Sequence, residues 1–124
     1  MIHLDTSFLI RALVRASSED RQLRRWVGRD ESLAISAVAW GEFMCGPLLL
    51  GAESLARAVV SEIVPIGAAE SERAAALYNL GGRRRGSLLD CFVAACAIES
   101  RASLATANGA DFARFAAAGL VLAK

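Results

Sequence analysis

At 124 residues the chain has the length of one domain, read as 1-124, with no linker, repeat or low-complexity stretch dividing it. Hydrophobic residues make up 55% and mean hydropathy is +0.40, yet no apolar run reaches the roughly 18 residues that span a membrane, so the excess apolar surface is expected to meet another protein. The formal net charge is only +1, which sets up no strong field, but thirteen of the fourteen cations are arginine, a residue that favours phosphate, although a GC-rich genome gives the same bias.

Met1 to Leu4 form a short apolar run that stops at Asp5, followed by Thr6, Ser7 and a helix-like Phe8 to Val14. Asp5 therefore falls at the carboxyl end of a strand, the edge where open parallel α/β sheets bind ligands. It also stops the N-terminal apolar stretch short of signal-peptide length, and a cytosolic (cytoplasmic) location is expected. Ser32 to Ser36 read as a second strand, then a helix through Val38, Trp40, Phe43 and Met44 to Gly46-Pro47, with Glu42 inside it. A helix over Glu53 to Glu62 follows, then a strand Ile63 to Ile66, where Pro65 argues for a sheet edge. A helix from Ala69 to about Leu80 ends at Gly81-Gly82-Arg83-Arg84-Arg85-Gly86, and Ser87 and Asp90 have capping-box spacing at the start of the next helix. Ser103 to Thr106 read as a strand, Ala107 to Ala110 as a tight loop, Asp111 to Phe115 as a short helix and Leu120 to Leu122 as a last strand. Alternating strands and helices predict an α/β fold with a mostly parallel five-stranded sheet flanked by helices.

On that frame Asp5, Glu42, Asp90 and the Asn108/Asp111 pair can all face one crevice. Each has a local explanation: Asp5 and Asp111 as helix caps, Glu42 as a solvated helix residue, Asp90 as the capping-box acid and Asn108 as a turn residue. Independent caps, however, need not share one edge of a sheet. Clustered carboxylates stay ionised only beside a cation or shared protons, and hard oxygen donors without a His or Cys set select Mg²⁺ or Mn²⁺ over zinc. His3, the single histidine, points to the same side of its strand as Asp5 and is assigned to the core or edge. The odd set Cys45, Cys91 and Cys96 reads as buried thiols. With four acids gathered round a cation, nine carboxylates would face fourteen cations elsewhere, a surface that attracts a polyanion. Arg83-Arg84-Arg85 is a candidate clamp for the phosphate backbone of a polyanion or else a solvated loop, and its glycines fit neither a dinucleotide fingerprint nor a P-loop, so no nucleotide cofactor is expected.

The strand ending in Asp5-Thr6-Ser7, Glu42 within Ala37 to Phe43, Asp90 within Leu88 to Ala95, and Leu104 to Phe112 together resemble the PIN-domain ribonucleases, and in size the VapC-type toxins of toxin-antitoxin modules. The likeness runs the length of the chain in four co-linear motifs. It implies a PIN-like three-layer fold and a metal-dependent endoribonuclease in which Asp5, Glu42 and Asp90 hold Mg²⁺ or Mn²⁺, with Asp111 the preferred fourth acid and Asn108 a further ligand through its amide oxygen, the alternative being that one of these two is purely structural. It also implies supporting hydroxyls at Thr6, Ser7 and Thr106, and products with a 5′-phosphate and a 3′-hydroxyl. A homodimer is implied as well, silenced by an antitoxin whose C-terminal segment follows an apolar groove to the acidic site. Helices carrying Trp40-Phe43-Met44-Leu48-Leu49-Leu50 and Leu23-Trp26-Val27 are candidates for that groove, although such stripes also build cores. Two alternatives are a catalytically inactive PIN-like binding module, which the intact acids oppose, and a Mg²⁺-dependent phosphotransfer domain using Asp5 as nucleophile, which lacks a second acid beside Asp5.

Overall fold

Five short strands, Ile2–Leu4 (β1), Leu33–Ser36 (β2), Glu62–Val64 (β3), Ser103–Ala105 (β4) and Val121–Leu122 (β5), form one sheet in a computed structural model that describes residues 1–124. The strand order is β3-β2-β1-β4-β5 and every adjacent pair is parallel, so the sheet is more uniform than the mostly parallel one expected. Parallel neighbours cannot be joined by a hairpin and need crossovers. Helices Thr6–Ala12 (α1) and Ser18–Gly28 (α2) follow β1, Ala37–Cys45 (α3) and Ala52–Val59 (α4) follow β2, and Ala68–Leu80 (α5) and Leu88–Glu99 (α6) follow β3. Gly109–Phe112 (α7) and a 3-10 segment, Ala113–Ala118, lead into β5.

Because helices cover the sheet, β1 and β2 are buried at every position, polar His3 and Ser36 included. β3 is an edge strand that stops before Pro65, in keeping with the missing N–H of that residue. The strand order reverses between β1 and β4, and this switch point opens a crevice at the carboxyl ends of those two strands.

Several local expectations give way to tertiary contacts. The Leu23-Trp26-Val27 stripe belongs to α2, whose Ser17 cap accepts the Asp20 N–H at 2.9 Å. Trp26 stacks on Phe8 of α1 with ring centroids 5.4 Å apart, and Leu23 joins the core, so only Val27 of the three is open to solvent. α4 ends at Val59, short of Glu62, because Ser61 already pairs with β2 through both N–H and Oγ to the Leu33 carbonyl, at 2.8 and 2.7 Å. Ser87 does not cap α6; its hydroxyl donates to the Arg84 carbonyl at 2.6 Å, which closes the arginine loop and leaves Asp90 free of any capping box. Cys91 and Cys96 are buried as expected, but Cys45 is exposed at the C-terminus of α3.

His3 is a buried imidazole with neither ring nitrogen hydrogen-bonded. Burial, with the N-terminal ammonium adding to it, pushes its pKa from 6.5 down to about 4. Between those values the unfolded chain takes up a proton that the folded chain refuses, so the His3 contribution to stability is whole above the unfolded pKa and lost as pH falls toward about 4. Relative to a His3→Leu variant, the wild type should lose about 3 kcal/mol of unfolding free energy between pH 7 and pH 4 in urea titrations. A difference that stays flat across that range would show that His3 titrates normally when folded.

Candidate active site

Asp5 stands where β1 ends, with its N–H still in the sheet, donating to the Ala105 carbonyl of β4 at 2.8 Å. It occupies the N-cap position of α1, but its side chain caps nothing. Instead Oδ2 accepts the hydroxyls of Ser7 at 2.8 Å and Thr106 at 2.9 Å, and those two oxygens lie 3.2 Å apart. The Ala107 N–H donates to Ser7 Oγ at 3.1 Å and the Asn108 N–H to Thr106 Oγ1 at 3.0 Å, which orients both hydroxyl hydrogens toward the carboxylate. Both hydrogen bonds to the Asp5 side chain fall on Oδ2, and Oδ1 accepts none.

Thr6 ties α1 to α3 by donating to the Ala39 carbonyl at 2.9 Å, with Glu42 Oε1 a longer 3.4 Å from the same hydroxyl. Ser36 caps α3 by accepting the Ala39 N–H at 3.1 Å, and six residues after that cap Glu42 comes round to the crevice. Asp90 enters from the first turn of α6. Burial, then the charge of Asp5, raise the Glu42 pKa, with Asp90 adding less than the Thr6 hydrogen bond takes away. Burial, then Asp5, raise that of Asp90, with Asp111 adding to it and Arg114 and Arg84 opposing it. Glu42 and Asp90 thus both sense Asp5, and Asp111 reaches the set through Asp90. The four ion pairs of the chain, Arg11–Glu19, Arg24–Asp20, Arg57–Glu53 and Arg73–Glu99, leave all four acids out.

Residues 2–118 match the family model described as PIN domain. The chain belongs to the PIN-domain family. Its fold is shared by a toxin-antitoxin complex from Klebsiella pneumoniae, 29% identical with a TM-score of 0.73 over 91% of each chain. It is shared also by VapBC2 from Rickettsia felis bound to a promoter DNA fragment, 20% identical with a TM-score of 0.76 over 99% of this chain and 98% of that one. Mycobacterium tuberculosis VapC20, a sarcin-ricin loop cleaving toxin, is 20% identical with a TM-score of 0.69 over 99% of this chain and 98% of its own. No curated protein matches in sequence. The PIN-like α/β fold and the likeness to VapC-type toxins anticipated from the four motifs are both borne out.

Within this PIN-domain fold the acids line an open crevice. No group of three His, Cys, Asp or Glu side chains closes tightly enough to cage an ion outright. The donor set nonetheless suits Mg²⁺ or Mn²⁺: it is all oxygen, it is uncompensated by any ion pair, and such ions keep several waters while using few carboxylates and the substrate's own phosphate. Asp111 lies in α7 and is exposed, as is Asn108, whose side chain does not cap that helix and whose backbone N–H serves Thr106. Arg84 and Arg85 line a polar pocket of about 200 Å³ with Gly86, Ser87, Asp90, Asp111 and Arg114. Arg83 turns the other way, donating to Asn79 Oδ1 at 2.9 Å and lying 5.5 Å from the Tyr78 ring centroid. Arg114 went unread in the sequence because a lone arginine in an alanine-rich stretch carries no pattern.

A raised carboxyl pKa means the folded, metal-free protein holds a proton more tightly than the unfolded chain does. Its ionised form is the costly one, so stability rises as pH falls from neutral through those pKa values. Asp90→Asn should therefore raise the melting temperature in EDTA at pH 7 by about 2 °C, a share already reduced for solvent screening. A lower melting temperature would show that Asp90 makes a stabilising contact.

Proposed function

We propose that this chain is the toxin of a toxin-antitoxin module, a cytoplasmic endoribonuclease dependent on Mg²⁺ or Mn²⁺. The observation that carries the reading is the set of desolvated, mutually repelling carboxylates at the switch point, none of which is held in an ion pair. Asp5, Glu42 and Asp90 would hold the cation, Asp111 and Asn108 standing at the outer rim. When bound, the ion supplies activation of a water molecule and neutralisation of charge on the phosphodiester. The protein's share is positioning: Ser7 and Thr106 fix Asp5 by one oxygen, and Thr6 fixes α3 and so Glu42. Arg84 and Arg85 draw in backbone phosphate, with Arg83 beside them at the loop's outer face. Hydrolysis by water leaves a 5′-phosphate and a 3′-hydroxyl and needs no 2′-hydroxyl nucleophile.

The apolar surface supports an antitoxin partner. A groove of about 590 Å³ runs between α1, α2 and α4, lined by Ala12, Leu13, Leu23, Val27, Leu55 and Val59. Leu13 also lines a second hollow of about 250 Å³ with Ile10, Phe43, Leu48 and Leu49, and this one includes Glu42. An amphipathic segment laid along the groove would thus end at the carboxylates. Partner toxins of the same fold, the Klebsiella pneumoniae and Rickettsia felis proteins among them, occur in such complexes. A homodimer belongs to the same reading, as does an RNA substrate, the class of molecule cut by the VapC20 relative.

Purified chain free of antitoxin, incubated with total RNA and Mg²⁺ or Mn²⁺, should give discrete fragments that vanish with EDTA and in Asp5→Asn and Asp90→Asn. Cleavage indifferent to all three would eliminate the assigned site. Ser7→Ala and Thr106→Val should each weaken Mn²⁺ binding roughly tenfold in calorimetric titration, because each frees Asp5 to rotate. Unchanged affinity in both would mean that the hydroxyls do not orient the ligand.

A further inference from the structure

Arg114 lies three residues beyond Asp111, in the 3-10 segment that follows α7. Its guanidinium rests over the ring of Phe115, 4.5 Å from the centroid, and that ring is buried, so the arginine has a fixed floor. Its Nε is buried and donates to no acceptor. Although Arg114 shares a pocket with Asp90 and Asp111, it forms an ion pair with neither. Its charge still reaches Asp90 and Cys91, opposing the burial that raises both. No hydrophobic residue lines that pocket, and its three arginines outnumber its two carboxylates.

We propose that Arg114, with Arg84 and Arg85, forms a seat for one RNA phosphate that flanks the scissile bond and so positions the strand over the carboxylates. The inference rests on the nuclease reading and names a residue which that reading does not require. A guanidinium held flat on an aromatic ring presents its planar fork to phosphate oxygens with little freedom left to lose. The pocket opens beside Asp90 and Asp111 and does not touch Asp5 or Glu42, so it lies to one side of the acidic set. It therefore suits a neighbouring phosphate, the one over the carboxylates being taken up by their cation.

The test uses the full chain carrying Asp5→Asn, which cannot cleave, with Mg²⁺ present and labelled single-stranded RNA oligomers read by fluorescence anisotropy. Arg114→Ala should weaken binding roughly tenfold and lower the slope of log affinity against log salt by about 0.7, the share of one phosphate contact on a single strand. Arg101→Ala, which removes an equal charge at the opposite edge of the sheet just before β4, should leave that slope unchanged. Oligomers with a single methylphosphonate then identify the phosphate: one position should weaken binding to the arginine protein and cost nothing further in Arg114→Ala. Arg114→Lys should recover part of the salt slope. Should Arg114→Ala fail to fold, Arg114→Gln keeps the stem on Phe115 and takes its place.

Unaltered affinity and slope in both neutral variants, alongside RNA cleavage by the wild type, would overturn the phosphate seat and leave the nuclease standing. Weakened binding with no methylphosphonate position coupled to Arg114 would also overturn it, because the arginine would then act only through the fold. A wild type that neither binds nor cuts RNA would sink the nuclease reading and the seat with it.

Discussion

The organising constraint of this molecule is the repulsion among carboxylates drawn together at the carboxyl edge of β1 and β4. Asp5 raises the pKa of both Glu42 and Asp90, and burial acts in the same direction on both. Such an arrangement costs stability in the ligand-free protein and persists only where the surrounding fold fixes it. The cost is concentrated at one place. Elsewhere acids are paired locally, Asp20 with Arg24 and Glu53 with Arg57 across one helical turn.

The fold imposes this concentration by topology. A parallel sheet whose order reverses between β1 and β4 parts its crossover connections at that point, and the chain leaves both strands facing the same crevice. Asp5 and Thr106 follow these strands directly, and their hydrogen bond closes the gap between segments 101 residues apart in sequence. Backbone N–H groups of Ala107 and Asn108 occupy the hydroxyl oxygens of Ser7 and Thr106, so the loop after β4 sets the orientation of a carboxylate after β1. The absence of a Ser87 cap on α6 has a related effect: the hydroxyl that would have engaged that first turn is spent on the Arg84 carbonyl, which shapes the arginine loop.

Charge and apolar surface meet at Glu42. On one side it faces Asp5 and Asp90; on the other it borders the hollow lined by Leu13, Phe43 and Leu48, which shares Leu13 with the larger groove. In the proposed function a partner bound by burial of apolar area would lie in contact with the ion-binding acids. Inhibition would then follow from position alone, without any change in the toxin's fold. The arginines line the pocket at Asp90 and Asp111, so in the same reading substrate and partner would approach from different sides.

Much of this was legible in the residues. Strand ends were marked by Asp5 and Thr106, the helix interruption by Gly81 to Gly86, and the sheet edge by Pro65, because backbone chemistry at such positions is local. The order of the candidate acids along the chain was readable in the sequence, since Asp5, Asp90 and Asp111 stand near element boundaries and Glu42 lies within one helix. Only the tertiary structure decided which groups act on them. That Ser7 and Thr106 share one oxygen of Asp5, that Ser87 abandons Asp90, that Arg83 turns away onto Tyr78 and that Arg114 closes the pocket all depend on rotamers and on contacts between distant segments. Periodicity carries no record of these. The same holds for the exposed Cys45 and the buried Trp26, whose environments are set by which helix happens to cover them: residue type fixes what a side chain can do, and packing fixes what it meets.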